Sequence, residues 1–234
     1  LLRMPLNTEI AVIEMGANHQ GEIDFMCHIA EPTHGLITNI GKAHLEGFGG
    51  IEGVKKGKSE LYRYLGRSGG MAFVNGSERF LQKLAESVSK KLFYQQSPSS
   101  SIQDPYHIYL MEEQPFVKAL FLSGHDVPRE VHTQLSGIYN FSNVMTAIAV
   151  GKYFKVPALR IKEAIESYVP ENMRSQLLQY GSNTILLDAY NANPTSMRFA
   201  IENFARYHAK KRLAILGDML ELGEKAVDYH IEIG

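Results

Sequence analysis

Short apolar runs alternate with longer segments of helical spacing between residues 10 and 88 of the chain. Short apolar runs bounded by turn residues are typical of buried strands, whereas apolar positions that recur every three or four residues predict amphipathic helices. The alternation favours a mostly parallel sheet with helices on both faces. The predicted strands are residues 10–15, 35–38 and 71–74, and the predicted helices are residues 22–30, residues 51–65 and one that begins with Ser77 as its N-cap.

A different pattern follows residue 91. Residues 95–105 are rich in serine, glutamine and proline, which predicts a loop. Three strand candidates come next, at residues 106–111, 116–122 and 130–135. No helix separates them, so they are expected to pair antiparallel. Helical spacing then predicts two helices, at residues 140–154 and 158–168.

The last part of the chain returns to alternating strands and helices. Residues 184–187 and 213–216 predict buried strands, and each is followed by a polar turn that contains an aspartate. Pro194 suits the first turn of a helix that continues to Tyr207. The predicted fold class is α/β, with a mostly parallel central sheet, flanking helices and an antiparallel strand set, followed by the start of a second, Rossmann-like α/β domain.

Charge and cysteine content narrow the class of protein. Lys plus Arg number 24 against 25 Asp plus Glu, so no basic field points to nucleic acid or to an anionic membrane. Cys27 is the only cysteine, which excludes an intramolecular disulfide and fits a reducing cytoplasm. No run of about 18 apolar residues occurs, and residues 1–5 lack a signal-peptide pattern. We therefore expect a cytoplasmic protein, with residues 1–5 belonging to the interior of a longer chain.

Polar side chains cluster where the first strands are expected to end. Glu14 closes the first predicted strand, and Asn39, Lys42 and His44 follow the second. The carboxyl ends of neighbouring parallel strands lie at the same edge of a sheet, where α/β proteins bind ligands. We therefore expect Glu14 and His44 to approach each other and to form a divalent-metal or phosphate site.

Ordinary structural roles compete with this interpretation. A single histidine after a strand is more often a loop or core residue. Lysines such as Lys58 on the helix at residues 51–65 are typical of a solvated face. Asn140 near the start of a helix suits a capping role, and Arg174 suits a surface position beside a hinge. On the residues alone, these alternatives stay open.

Six motifs occur in order along the chain: EMGANHQGEI (14–23), TNIGKAHLEGFG (38–49), KSE (58–60), LSGIYNFSNVMTAIAVG (135–151), DAYNANPTSM (188–197) and LGDMLELGE (216–224). Together they resemble the Mur ligase family, and the resemblance covers nearly the whole chain. The first, fifth and sixth motifs favour the member that joins D-alanyl-D-alanine to UDP-N-acetylmuramoyl-tripeptide.

The resemblance implies an ATP-dependent peptide ligase of peptidoglycan precursor synthesis. In such a ligase the substrate carboxylate attacks the γ-phosphate of ATP to form an acyl phosphate, and the amine of D-alanyl-D-alanine then displaces phosphate. Phosphoryl transfer depends on positioning and charge neutralisation more than on a covalent nucleophile. The implied cofactors are ATP and Mg²⁺, and a cytoplasmic monomer is expected.

The resemblance also implies roles for single residues. Glu14, His44 and Lys58 are the implied catalytic and metal-associated residues. Lys58 matches a lysine that CO₂ carbamylates, which would turn an amine into a carboxylate able to hold a second Mg²⁺. Asn140 keeps its interpretation as a cap, and residues 216–224 are implied to face the interdomain cleft. The implied nucleotide-contacting residues are Asn143 (adenine), Arg174 (phosphates), Asp188, Asn191 and Asn193.

The domain boundary is expected near residue 174. Residues 1–174 would form the ATP-binding central domain and residues 175–234 the start of the C-terminal domain, with residues 170–174 as the link. No G-x-x-x-x-G-K-[ST] phosphate loop occurs in the sequence, and the resemblance places that loop upstream of Glu14. The expectation is a fragment truncated at both ends that is inactive and binds Mg–ATP weakly by itself.

Two other functions remain as alternatives. Folylpolyglutamate synthase shares the reaction type, but the EMGAN, YNANP and LGDMLELGE motifs argue against it. A metal-dependent hydrolase could use Glu14, His44 and Glu60 without any nucleotide. Such a hydrolase would leave the nucleotide-facing Asn143 and Arg174 without a role.

Overall fold

A six-stranded sheet organises the first part of the chain. The computed structural model describes residues 4–124, 127–171 and 173–234, and the six strands that these residues contribute to this sheet lie side by side in chain order. They are β1 (His34–Leu36), β2 (Met71–Asn75), β3 (Lys90–Gln96), β4 (His107–Glu112), β5 (Lys118–Ser123) and β6 (Val127–His132). Pairing is parallel from β1 to β4 and antiparallel from β4 to β6.

The expected parallel and antiparallel halves of the sheet are confirmed. The three strand candidates between residues 106 and 135 correspond to β4, β5 and β6, which pair antiparallel because too few residues separate them for a crossover connection. β3 was not predicted, since its sequence, KKLFYQQ, has only three apolar residues between polar ends. The pairing of β3 with β2 and β4 on either side buries its central Tyr94. Its last two residues lie in the segment that was predicted as a loop.

The strand predicted at residues 10–15 is wrong. These residues form no strand, and Ile10 and Val12 are exposed. A segment becomes a strand only where a neighbour binds its N–H and C=O groups. Among the described residues the sheet ends at β1, so this apolar run has no partner.

The helices of this part largely match the predictions. They are α1 (Glu22–Ala30), the short α2 (Leu45–Phe48), α3 (Ile51–Ser68), α4 (Arg79–Leu84), α5 (Ile138–Tyr153) and α6 (Ala158–Ser167). The prediction for Ser77 is wrong, because α4 begins at Arg79 and Ser77 Oγ instead accepts the N–H of Gln96 at 3.2 Å. Nowhere in the described ranges is a helix both long and apolar enough to span a bilayer.

Helices cover both faces of the sheet, as predicted. Side chains alternate across β2, so Phe73 faces one side of the sheet while Ala72 and Val74 face the other. Below α5 and α6, Phe73 belongs to a core that includes Tyr94, Ile108, Phe121, Val144 and Ile148. Against α3 and α4, Ala72 and Val74 belong to a second core with Tyr62, Leu65, Leu81 and Val88.

The outer edge of β6 is covered in part by side chains of α6. Lys162 Nζ donates to the carbonyl of Glu130 at 2.9 Å, and Glu166 Oε1 accepts the N–H of His132 at 2.8 Å. Pro128 has no N–H to offer. Two backbone groups of this edge strand, the carbonyl of Glu130 and the N–H of His132, are therefore bonded within the molecule.

A two-stranded antiparallel sheet opens the last part of the chain. It consists of β7 (Gln176–Tyr180) and β8 (Asn183–Leu187), and the start of β8 is exposed although residues 184–187 were predicted to be buried. The strand predicted at residues 213–216 is wrong, since these residues form no strand and Leu213 is exposed. The helices here are α7 (Pro194–Arg206), which matches the prediction, and α8 (Ala226–Ile233), which was not predicted.

Two isoleucines allow a matched test of the core. Ile148 of α5 is fully buried, whereas Ile215 is 89% exposed. We expect Ile148→Ala to lower the free energy of unfolding by about 2–5 kcal/mol, because it leaves a cavity in a packed core. Ile215→Ala should change it by less than about 0.5 kcal/mol. Urea unfolding measures both values, and equal losses would contradict this division of core and surface.

His34 of β1 packs against aromatic side chains of β2 and of the end of α5. Its Nε2 lies 3.1 Å from the hydroxyl of Tyr153, and its ring stacks on Phe73 with 6.0 Å between centroids. Burial lowers the pKa of His34 below its usual value, and the positive charge of Lys90 adds to this effect. Folding therefore disfavours the protonated form of this imidazole.

The lowered pKa of His34 predicts a loss of stability in mild acid. As pH falls through the ordinary histidine pKa, the unfolded chain binds a proton more readily than the folded chain does, so the free energy of unfolding decreases. We expect His34→Gln to reduce the stability difference between about pH 7.5 and about pH 5.5. The exposed His208 supplies the control, because His208→Gln should retain the wild-type difference. Denaturant titrations at both pH values measure the effect, and an unchanged difference in His34→Gln would contradict it.

Candidate functional site

Two loops that are far apart in sequence meet through a histidine and a glutamate. We call residues 38–50 the histidine loop and residues 216–224 the acidic loop. His44 Nδ1 lies 2.5 Å from Glu221 Oε2, and the N–H of Glu46 donates to the carbonyl of Glu221 at 3.2 Å. The carboxylate of Glu221 accepts a hydrogen bond from the imidazole, so one residue of the acidic loop is held by both its backbone and its side chain.

An apolar cluster lies beside this polar contact. Its buried members are Leu45, Phe48 and Val54 from the first part of the chain and Met219 and Leu222 from the acidic loop. The burial of these five side chains removes apolar surface from water and holds the two loops together. The acidic loop is therefore docked on the histidine loop.

The start of α7 also lies against the histidine loop. Thr195 Oγ1 accepts the N–H of Lys42 at 3.0 Å. Lys42 Nζ lies 4.6 Å from the ring centroid of Tyr229 and 3.8 Å from Glu232 Oε2 in α8. The motif that precedes α7 is thus adjacent to the motif that contains His44.

The segment that follows Glu14 reaches the histidine loop at Gly47. We call residues 14–21 the glutamate segment. A Cβ on Gly47 would lie 2.5 Å from the carbonyl oxygen of Asn18 and 3.3 Å from Nε2 of His19. This close approach requires glycine at position 47. The glutamate segment and the histidine loop therefore meet at Gly47.

Glu14 itself does not occupy the predicted strand end. It is exposed and belongs to a stretch without strand structure, so the premise of adjacent strand ends is wrong. The described carboxylate that contacts His44 is Glu221. Sequence analysis did not single out Glu221, although its motif marked the acidic loop as important.

Lys58 of α3 occupies a partly buried position with one defined partner. Its Nζ donates to the carbonyl of Asn39 at 2.9 Å. Burial lowers the pKa of Lys58 below the usual lysine value, which raises the fraction of neutral amine. Lys56 on the same helix is exposed. The alternative that these lysines only form a solvent-exposed helix face therefore fits Lys56 and not Lys58.

The predicted metal residues do not form a donor set for Mg²⁺ as they stand. Within residues 4–124, 127–171 and 173–234, no group of three or more His, Cys, Asp or Glu side chains could hold a metal ion. His44 is bonded to Glu221, and Lys58 presents an amine where Mg²⁺ requires oxygen. The metal role of Glu14, His44 and Lys58 stays a prediction.

Glu60, the third residue of the hydrolase alternative, is already engaged. It is 5% exposed, and its two carboxylate oxygens accept the N–H groups of Gly21 and Asp24 at the start of α1. A carboxylate with both oxygens bonded to backbone is poorly placed to bind a metal. The hydrolase alternative loses support at this residue.

A second polar group surrounds Asp188. Its Oδ2 accepts hydrogen bonds from the hydroxyls of Tyr139 at 3.4 Å and Ser175 at 3.5 Å. Burial raises the pKa of Asp188 above the usual carboxyl value, although bonds from Ser175 and Tyr139 and the charge of Arg174 oppose the rise. Burial also raises the pKa of Tyr139 to about 12, so this hydroxyl stays protonated and can donate.

Arg174 lies near Asp188 and is exposed. Its guanidinium carbon stands 4.0 Å from the ring centroid of Tyr190, a cation–π arrangement. Met173 and Ser175 on either side have φ of 56° and 51°, a conformation that non-glycine residues rarely adopt. The link predicted at residues 170–174 includes Asn172, which lies outside the described residues.

The asparagines predicted to contact a nucleotide or to cap a helix lie in different environments. Asn193 is the N-cap of α7, where its side chain accepts the N–H groups of Thr195 and Ser196. Asn191 and Asn143 are exposed. The prediction that Asn140 caps its helix is wrong, because Gly137 is the N-cap of α5 and Asn140 Nδ2 donates to the carbonyl of Ser136. Contacts of Asn143, Asn191 and Asn193 with a nucleotide stay predictions.

Comparison with known proteins assigns the two parts of the chain. Residues 1–151 match the family model of the Mur ligase middle domain, and residues 173–234 match that of the Mur ligase glutamate ligase domain. A curated relative, UDP-N-acetylmuramoyl-tripeptide–D-alanyl-D-alanine ligase of Bacillus subtilis (strain 168), is 34% identical over all of this chain and 50% of its own length. The chain thus spans about half the length of the curated relatives that it matches.

Solved structures agree with these matches. A structure of MurF from Acinetobacter baumannii has a TM-score of 0.81 and 29% identity over 99% of this chain and 50% of its own. A MurF ligase from Thermotoga maritima in complex with ADP has a TM-score of 0.77 over 94% of this chain and 49% of its own. At 24% identity, this likeness shows the fold alone. The predicted family is confirmed: the chain belongs to the Mur ligase family.

Proposed function

We propose that this chain provides the nucleotide-facing part of an ATP-dependent ligase that joins D-alanyl-D-alanine to UDP-N-acetylmuramoyl-tripeptide. The observation that carries the proposal is the whole-chain match to a Bacillus subtilis protein named as this ligase. The converging motifs support it, because the histidine loop, the acidic loop and the start of α7 meet in one region. The proposed setting is the cytoplasm, with the protein as a monomer.

In the proposed reaction the tripeptide carboxylate attacks the γ-phosphate of ATP, and ADP leaves. The amine of D-alanyl-D-alanine then attacks the acyl phosphate, and phosphate leaves. Both steps need charge neutralisation and fixed geometry. Arg174 is the proposed phosphate contact, because an exposed guanidinium can bind two phosphate oxygens at once.

Asp188 and the asparagines are proposed to hold the nucleotide. Asp188 can bond a ribose hydroxyl, and its hydrogen bonds with Tyr139 and Ser175 orient the carboxylate for that task. Asn143 is the proposed adenine contact, since an amide both donates and accepts. Asn191 and Asn193 lie between Asp188 and the start of α7 and are proposed to contact the phosphates.

Lys58, His44 and Glu14 are the proposed catalytic residues. Burial lowers the pKa of Lys58 and so raises the fraction of neutral amine, the form that reacts with CO₂. Mg²⁺ belongs to the proposal through ATP, because Mg²⁺ is commonly held by substrate phosphates, waters and one or two carboxylates. Glu14 is the proposed protein carboxylate for this ion.

Release of phosphate tests the proposed function. The full-length protein that carries this chain should release phosphate from ATP only when UDP-N-acetylmuramoyl-tripeptide and D-alanyl-D-alanine are both present. A coupled phosphate assay measures this, with omission of each substrate as the control. Turnover with folate and glutamate instead would favour the folylpolyglutamate synthase alternative and contradict the proposal.

Substitution of Lys58 tests its proposed role. In the full-length protein, Lys58→Ala should lower kcat by about 100-fold or more, as expected for the loss of a group that stabilises charge in the transition state. Lys56→Ala on the same helix is the matched control, because Lys56 is exposed, and it should retain turnover. Thermal unfolding should show both variants folded. Normal kcat in Lys58→Ala would assign Lys58 a structural role only.

A further inference from the structure

The start of α1 is capped by a residue from another helix. α1 follows Gly21, which has φ of +92° and supplies no side chain to bond the free N–H groups. Glu60 of α3 takes this role, since its Oε1 accepts the N–H of Gly21 at 2.7 Å and its Oε2 accepts the N–H of Asp24 at 3.0 Å. The capping residue usually lies at the end of the helix that it caps. Here Glu60 lies 39 positions away from Gly21, so its hydrogen bond connects α3 to α1.

The burial of Glu60 makes these bonds important. Its side chain is almost completely removed from water, and a buried carboxylate is costly unless hydrogen bonds satisfy its oxygens. The partial positive charge of a helix N-terminus adds a favourable term. The nearest described cation, Arg63, is 3.7 Å away, so the backbone N–H groups are the close partners.

Further contacts hold the same region against α3 and the histidine loop. Arg67 of α3 donates to Asp24 Oδ1 at 2.7 Å. At the other side, Gly47 allows the carbonyl of Asn18 to approach the histidine loop. The glutamate segment therefore contacts the histidine loop through Asn18 and continues into α1, which is bonded to α3. Glu60 is the buried residue that bonds the end of this segment to α3.

Glu60 and Lys58 share one helix but serve different sides of it. Residues two positions apart on a helix point about 200° apart. Glu60 accordingly bonds α1, whereas Lys58 bonds Asn39 at the start of the histidine loop. A single rigid helix thus sets the position of the glutamate segment relative to Lys58.

We propose that Glu60 is a positioning residue that fixes the glutamate segment, and with it Glu14, relative to Lys58 and the histidine loop. Its importance for turnover rests on the proposed ligase function. Its importance for the position of the segment rests on the contacts alone. Hydrogen exchange tests the position of the segment, and turnover tests the effect on the reaction.

Hydrogen exchange on this chain tests the anchor. Glu60→Ala should raise exchange at the amides of Gly21 and Asp24 and in the glutamate segment by about tenfold or more, since bonds to a charged acceptor are lost. Glu60→Gln keeps one acceptor oxygen and should give an intermediate value. Glu52→Ala, an exposed glutamate of the same helix, is the matched control and should leave exchange in this region unchanged.

The amides of β2 report whether each variant stays folded. Protection of β2 that is retained while residues 14–24 exchange faster supports the proposal. Unchanged exchange in residues 14–24 would overturn it, as would an equal loss in β2 and in this segment, because Glu60 would then stabilise only the fold as a whole. If Glu60→Ala fails to fold, Glu60→Gln decides by the same comparison.

Turnover of the full-length protein tests the second part. Glu60→Ala should lower kcat by about tenfold while KM for the tripeptide substrate stays close to wild type, and Glu60→Gln should recover part of the loss. Faster exchange with unchanged kcat would overturn the role in turnover. A wild-type protein without ligase turnover would contradict the proposed function, and the exchange result would still decide the anchor.

Discussion

The docking of the acidic loop on the histidine loop is the interaction on which the arrangement of the site depends. Met219 and Leu222 supply the apolar part of the contact, and Glu221 between them supplies the polar part through His44. Burial of apolar surface is non-directional, so the cluster can hold the loops together without orienting them. The hydrogen bonds of His44 and Glu46 with Glu221 fix the orientation of the two loops, which the apolar contact alone does not. Together they bring motifs from opposite ends of the chain into one region.

Close backbone approach is the second constraint. Gly47 admits the carbonyl of Asn18, and a Cβ on Gly53 would lie 1.7 Å from the carbonyl oxygen of Phe48, which no side chain could tolerate. Gly57 leaves room for the ring of Phe48. Glycines in α3 lower its intrinsic helix propensity, and packing compensates for this loss. The helix that carries Lys58 and Glu60 can therefore lie directly against the histidine loop.

Local pattern predicted those parts of the fold whose sequences have a clear apolar spacing. Most of the helices and the antiparallel strands β4 to β6 were found in this way, whereas α8 was not. β3 and the apolar residues 10–15 show the limit. The polar-ended β3 is a strand because β2 and β4 flank it, whereas the more apolar run has no neighbour among the described residues. At the candidate site, the motifs marked two loops that contact each other, but neither the pairing of His44 with Glu221 across 177 positions nor the capping of α1 by Glu60 follows from spacing.

The covered edge of β6 has a consequence for how the molecule behaves at high concentration. An edge strand with free N–H and C=O groups is a template on which a second molecule can add a strand, the first step toward aggregation. Lys162 and Glu166 occupy such groups at Glu130 and His132, and Pro128 interrupts the row. A second copy that approached this edge would have to displace these bonds before it could pair. The same side chains that fasten α6 to the sheet therefore protect the antiparallel half of the protein from self-association.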